Sequence, residues 1–160
     1  MARILMVLVF LFTHSSCAYA LITKVLDVYD GDTLSVGMQG ERVAIRLYGI
    51  DAPEAGQNGN VASTRFLRRL IHEKPVVIKV MGTDGFGWTL AIISFEGKAI
   101  SVNAVIVANG YAWVNPRECR VDVCTDLKKF ETQARMLKLG IWSGYDLVPP
   151  WEFKDQLSNQ

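Results

Sequence analysis

Over Leu34 to Met38 and again over Val43 to Leu47 apolar residues recur at every second position, with short polar turns between the segments. Val25 to Tyr29 reads as a strand entering an Asp30-Gly31 turn. Leu34, Val36 and Met38 then alternate with Ser35 and Gly37, which predicts a second strand with one buried face. Gln39-Gly40-Glu41 turns the chain, and Val43, Ile45 and Leu47 alternate with Arg42, Ala44 and Arg46 in a meander that ends at Ile50. Arg46 is thereby left on the face opposite the core set. From about Asn60 the period changes. Phe66, Leu67, Leu70 and Ile71 form an apolar stripe at helical spacing, Arg65, Arg68 and Arg69 lie largely off it on a solvated face, and Pro75 follows its end.

Val76 to Met81 and Leu90 to Phe95 read as strands joined through Gly82 to Gly87, and Glu96-Gly97-Lys98 looks like another turn. Ser101 to Asn109 is ambiguous. Its valines and isoleucine suit a strand, whereas Ser101 as a cap and Gly110 as a stop argue for a short buried helix. A last helix from about Asp126 puts Leu127, Phe130, Ala134 and Leu137 on one stripe and stops at Gly140. Periodicity by itself gives an α+β domain. Five strands, a helix inserted after the third and helices at the end, about three in all, fit a five-stranded Greek-key barrel of the OB type.

The 160 residues suit a single domain with one core. The first twenty read differently. Arg3 supplies a basic n-region, Ile4 to Phe12 is an unbroken apolar run, and Ala18-Tyr19-Ala20 fits a small-x-small cleavage site. The run is too short to span a bilayer, so residues 1–20 are expected to be a signal peptide cleaved after Ala20, leaving 21–160 as the domain. Lipid attachment at Cys17 is the rival reading, but His14 sits where such a signal takes an apolar residue. The expected destination is secreted or periplasmic, with no stable membrane association after cleavage.

Composition then narrows the choice of partner. Of the 17 Lys and Arg only Arg3 falls in the first twenty residues, which hold none of the 16 Asp and Glu, so the remainder has no net charge. A protein that held polynucleotide mainly by neutralising phosphates would be basic, so any nucleic-acid binding must be local. Cys119 and Cys124, a close pair in an exported chain, are expected to form a disulfide. The competing soft-metal site lacks further ligands, since His72 is the one remaining histidine and lies far off in sequence.

The candidate chemistry sits at the ends of the first strands. Asp30-Gly31-Asp32-Thr33 and Arg46-Leu47-Tyr48-Gly49-Ile50-Asp51-Ala52-Pro53-Glu54 bring together Asp32, Asp51, Glu54 and Arg46. Hard carboxylate oxygens beside a guanidinium suit metal-assisted attack on a phosphate ester. Pro53 fixes its own φ and biases Ala52 to an extended conformation, which holds the flanking acids in a set relation. Each element also has a plainer reading: Asp-Gly-Asp as turn chemistry, Asp51 and Glu54 as solvated loop acids, and Arg46 as the ion-pair partner of one of them.

These pieces resemble the staphylococcal-nuclease-like (thermonuclease) family. The resemblance is carried by Asp30-Gly31-Asp32-Thr33, by Arg46 to Glu54, by Asp84-Gly85-Phe86-Gly87 with Leu90-Ala91, by Asn109-Gly110-Tyr111-Ala112-Trp113, and by Glu131 and Ala134 leading to Gly140-Ile141-Trp142. It implies an OB-fold and a Ca2+-dependent phosphodiesterase acting on DNA or RNA, single-stranded or denatured forms favoured, as a monomer. Carried over by position, Asp32 and Asp51 would bind Ca2+ through their carboxylates and Ala52 through its backbone carbonyl, with Asp30 supporting them at a distance. Glu54 would orient or deprotonate the attacking water, and Arg46 would hold the phosphate oxygens.

The departures from the family pattern are also informative. Trp88 stands where the family has a catalytic arginine, and Gly85 and Phe86 replace a lysine and a tyrosine of nucleotide binding. Tryptophan has one N–H and no charge. Phe86 and Trp88 can still stack on a base. The Val148 to Phe153 tail, with two prolines and two aromatics, also resembles a family ending and is expected to strap over the domain. The leading expectation is an exported nuclease with an intact metal half-site and a weakened phosphate clamp. The alternative is a catalytically inactive OB-fold module that binds nucleic acid, nucleotide or protein.

Overall fold

The alternating segment over residues 21–47 folds as three antiparallel strands, β1 (Leu21–Val28), β2 (Thr33–Met38) and β3 (Glu41–Leu47), in a computed structural model that describes residues 21–120, 122–145 and 147–159. The expected signal peptide, with Cys17 and the cleavage site, lies outside the described residues. A hairpin at Gln39-Gly40, both at positive φ, sets the β2–β3 register with Met38 opposite Glu41 and Thr33 opposite Arg46. Two left-handed residues give a turn whose twist matches the strands it joins.

After a two-residue strand β4 (Ile50–Asp51) and helix α1 (Asn60–Ile71), β5 (Pro75–Thr83) and β6 (Thr89–Ser94) form the second hairpin. β6 lies parallel to β3 and β5 lies antiparallel to β1, so the sheet closes as a barrel in the order β1-β2-β3-β6-β5. This is the expected five-stranded barrel. Its interior is filled by Val25, Leu34, Val36, Ile45, Leu47 and Ile93, all fully buried, with Leu67 and Ile71 of α1 packed against them. Ser35 departs from simple alternation: it too is fully buried, and its hydroxyl accepts a hydrogen bond from Arg42.

The ambiguous segment is helix α2 (Val102–Ala108), capped by the Ser101 hydroxyl, which accepts from the Ala104 N–H at 3.1 Å. Buried Asn103 fixes α2 to the barrel. Its amide donates to the Tyr48 and Ala91 carbonyls, and its oxygen accepts from the Ile93 N–H. A buried amide satisfied on both ends costs little and defines one docking geometry. The chain continues through β7 (Trp113–Val114), which pairs with β4, and helix α3 (Val123–Met136), beginning three residues before the expected start. Leu137 was expected on the buried stripe. It instead lies just past the end of α3 and is 69% exposed, because the stripe runs out where the helix stops.

The tail provides the main difference from expectation. Residues Pro150–Ser158 form a fourth helix, α4, preceded by a 3-10 turn at Gly140–Ser143, where about three helices were expected. Pro150 stands at the first helical position, where its missing N–H costs nothing. Trp151 packs on a second small core of Trp113, Ala134, Ile141 and Trp142. The tail therefore straps over the domain as expected, and does so as a helix. Cys119 and Cys124 are joined in a disulfide between β7 and α3.

One glycine places the acidic turn. A Cβ added at Gly31 would lie 2.6 Å from the Ala52 Cβ and 2.7 Å from the Ser63 Cβ, so the turn touches both the β4 loop and α1. Gly31→Ala must push one of these elements away and is expected to cost about 1–3 kcal/mol, the usual size of an overpacking strain. Urea unfolding measures it, and a loss below about 0.5 kcal/mol, the range of an ordinary surface substitution, would show that the contact yields freely.

Candidate active site

Backbone hydrogen bonds set the acidic residues before any side chain does. The Asp30 carboxylate accepts from the Asp32 N–H at 3.0 Å and the Thr33 N–H at 2.7 Å, closing the β1–β2 turn and ending the strand at a fixed point. Asp32, now at the barrel rim, accepts from the Thr33 hydroxyl at 2.9 Å through Oδ1 and from the Ala52 N–H at 2.7 Å through Oδ2. The second of these bonds ties two segments twenty residues apart. Asp51 is held next to Ala52 by the β4–β7 pairing with Trp113. Turn chemistry accounts for Asp30, but burial is against a solvated loop acid at Asp51, which is 1% exposed, and Asp32 is 5% exposed.

Burial has an electrostatic consequence. Loss of water, with Asp30 and Asp51 nearby, pushes the Asp32 carboxyl well above the usual carboxylate range, against the pull of Arg46 and the Ala52 N–H. Burial likewise pushes Asp51 from its ordinary 3.8 up to about 6, although Lys154 and Arg46 pull it down. Two buried acids that resist ionising together form a site short of positive charge.

Arg46 is the first cation there. Its guanidinium lies 3.7 Å from each of Asp51, Asp84 and Glu118, with the side chain 16% exposed. Burial draws its proton affinity down, but Asp32, Glu118, Asp51 and Asp84 together raise it. None of these contacts is as short as a fork-to-fork hydrogen bond, so the donors are held in place by charge without being consumed. Asp84 also builds the β5–β6 turn: its Oδ1 accepts from the Phe86 and Trp88 N–H groups, both at 2.9 Å. Phe86, 87% exposed, and Trp88, 41% exposed, are thus presented at the mouth of the acidic cavity. That cavity, about 300 Å3, is also lined by Asp30, Asp32, Glu54, Arg46 and Asp84.

A residue that sequence reasoning did not find completes the cavity. Lys154 of α4 places its ammonium 2.8 Å from Glu54 and 3.3 Å from Asp51. Burial lowers its proton affinity, but the Glu54 hydrogen bond and the charges of Asp51 and Glu54 outweigh that. Glu118 was also missed, and its Oε2 is buried with no hydrogen-bond partner. Of the residues singled out in the sequence, Asp30, Asp32, Arg46, Glu54, Phe86 and Trp88 line one cavity; Asp51 lies 3.7 Å from Arg46 and the Ala52 N–H donates to Asp32. Of the helix arginines, Arg68 is turned elsewhere, to the Val28 carbonyl and to Asp27 at 3.2 Å.

The donor set suits a hard divalent cation in kind: two buried carboxylates short of positive charge, with a backbone segment, Ala52, between them. Among the described residues no three His, Cys, Asp or Glu side chains converge as a ready cage, so a backbone carbonyl and water would have to complete the coordination. The fit is that of a half-site. Without metal the acids carry a stability cost. The folded protein holds a proton on Asp51 that the unfolded chain releases near pH 3.8, so stability falls as pH rises from about 4 through 6. In chelator at pH 7, Asp51→Asn is expected to stabilise the protein by about 1–2 kcal/mol and to flatten this slope. Urea unfolding at pH 4 and pH 7 checks it. Destabilisation with an unchanged slope would mean that Arg46 and Lys154 already offset the cost of burying the charge.

Comparison with known proteins points to nucleases. Residues 44–144 fit the family model described as staphylococcal nuclease homologue, a span that includes Arg46, Asp51, Glu54, Asp84 and Trp88. The chain is 32% identical over 151 residues to an uncharacterized endonuclease of Escherichia coli O157:H7, covering 94% of this chain and 96% of the relative. It is 28% identical over 143 residues to a micrococcal nuclease of Shigella flexneri, covering 85% and 82%. With an uncharacterized endonuclease of Haemophilus influenzae it shares 27% identity over 134 residues, covering 83% and 72%. On the strength of this match and of the barrel that carries it, the chain belongs to the staphylococcal nuclease homologue family.

Proposed function

We propose that the chain is a metal-assisted phosphodiester hydrolase that cleaves DNA or RNA. The observation that carries this reading is the buried Asp32 and Asp51 pair at one rim of the barrel, with Glu54 and Arg46 opening onto the same cavity. The nuclease relatives support it at the level of reaction class. Asp32, Asp51 and the Ala52 carbonyl would hold a Ca2+ ion, with Asp30 fixing the Asp32 turn. Bound there, the ion would supply Lewis-acid charge for a phosphoryl oxygen and for water.

The remaining roles fall to the chain's own groups. Glu54 lines the cavity and would orient water and accept its proton. Arg46 would direct its unconsumed N–H donors at the phosphate oxygens and stabilise the charge that develops in attack. Phe86 and Trp88 would stack on bases next to the cleaved bond, favouring single-stranded or denatured substrate, whose bases are free. Trp88 brings no charge to this mouth, so the activity is expected to be weak.

The apolar run Ile4 to Phe12 and the cysteine pair support export to a secreted or periplasmic destination, where a disulfide persists. Among the described residues no helix is long and apolar enough to cross a membrane. It would act as a monomer, as the family resemblance implies. A second reading, an inactive module that binds nucleic acid, nucleotide or protein, is favoured by the uncharged Trp88 at the cavity mouth.

Incubation of the protein with denatured DNA decides between the two. Cleavage is expected with millimolar Ca2+ and none with chelator. Arg46→Ala should lose about 10²–10³-fold in kcat and Glu54→Gln about 10²–10⁴-fold. Oligonucleotide binding without cleavage in either condition would establish the inactive module. Trp88→Arg is expected to raise kcat by about tenfold or more, through a second charge at the phosphate. A folded, Ca2+-binding Trp88→Arg variant that cleaves no faster than the parent would show that position 88 does not limit the site.

A further inference from the structure

The ammonium of Lys154 stands between two acids with different proposed tasks. Asp51 would bind the metal, whereas Glu54 would handle water, and Lys154 lies 3.3 Å from the first and 2.8 Å from the second. It belongs to α4, beyond the span matched by the family model, and no motif in the sequence marks it. Without a metal it is the counter-ion that makes this acidic cavity tolerable. A doubly charged cation held by Asp51 would be repelled by an ammonium so close to that carboxylate, because like charges a few ångströms apart repel most where burial limits screening.

The helix does not depend on the lysine for its place. Pro150 is buried, Trp151 packs on the Trp113 and Trp142 core, and Arg117 pairs with Asp155 at 3.3 Å. The lysine stem, 41% exposed, is therefore free to re-aim while the helix stays docked. The direction open to it is the cavity it already lines together with Arg46. A phosphodiester approaching walls of Asp30, Asp32, Glu54 and Asp84 meets more negative charge than Arg46, itself beside three carboxylates, can balance alone, so a second cation has a place there.

The geometry points to Lys154 as a partner-switching cation: it holds Asp51 and Glu54 when no metal is bound, competes with the divalent ion for Asp51, and once displaced binds the substrate phosphate beside Arg46. The inference rests on the metal-assisted reading above. It gives Lys154 two opposite effects, a penalty on metal binding and a contribution to substrate binding, and a residue that merely packs would have neither. A flexible lysine with three donors suits an exchange of partners better than a rigid fork would.

Calorimetric titration of Ca2+ into the full chain, and then of a single-stranded phosphorothioate oligonucleotide into the Ca2+-saturated protein, tests both effects on the parent, Lys154→Met and Lys154→Arg. Lys154→Met keeps the stem that covers the surface and removes the charge. It is expected to bind Ca2+ about tenfold more tightly and the oligonucleotide about tenfold more weakly, each the size of an ordinary coupling between two ligands of one protein. Lys154→Arg should restore oligonucleotide binding. Unchanged or weaker Ca2+ binding in a folded Lys154→Met overturns the competition, and undiminished oligonucleotide binding overturns the exchange. A parent that binds no Ca2+ overturns the metal-assisted reading together with this one, whereas a parent that binds it with Lys154→Met indistinguishable contradicts the role of Lys154 alone.

Discussion

The bond from the Ala52 N–H to the Asp32 carboxylate, 2.7 Å long and buried, joins the turn after the first barrel strand to the loop after the third. It brings a second carboxylate, that of Asp51, against the first in a place from which water is excluded. Such a pair is unfavourable by itself. Two cations offset part of it: Arg46 lies among Asp51, Asp84 and Glu118, and Lys154 lies on Asp51 and Glu54, whereas Asp30 adds a further negative charge beside Asp32. A fold that keeps two acids together at this expense holds a place for positive charge.

The barrel provides rigidity for that arrangement. β2 and β3 carry Asp32 and Arg46 to the same rim because Thr33 pairs with Arg46 in their register. The β5–β6 hairpin adds Asp84, which both meets Arg46 and holds up the Phe86 and Trp88 backbone. Sites set on strand ends move less than sites set on loops, and positioning is the larger part of what a protein can contribute to phosphoryl transfer. The mobile element of the design is a single side chain, Lys154, on a helix anchored by an aromatic cluster several residues away.

The sequence made much of this legible, for identifiable reasons. Strict alternation over Leu34 to Leu47 marked strands, and the switch to a helical period at Asn60 placed α1 at its observed start. The acids and Arg46 were legible because turn chemistry and strand ends confine them within about two dozen residues. The Ser101 to Asn109 stretch was open because valine and isoleucine suit a strand, and the Ser101 cap decides it only once the Asn103 amide is seen to join α2 to the barrel. Leu137 misled because an apolar stripe does not say where the helix ends. Lys154 and Glu118 were out of reach: their partners Asp51 and Arg46 lie 103 and 72 positions away, a separation that the packing of α4 and of the segment after β7 closes and no local pattern reports.

The central claim is that the fold keeps a cation seat at Asp32 and Asp51. A Ca2+ titration of the parent and of Asp32→Asn, followed by the change in melting temperature, tests it most directly. One Ca2+ per parent chain is predicted, with a stabilisation of about 2.7 kcal/mol at a hundred times the dissociation constant, and no shift in the variant. A parent whose melt is unmoved by millimolar Ca2+, or an Asp32→Asn variant stabilised as much as the parent, would contradict it.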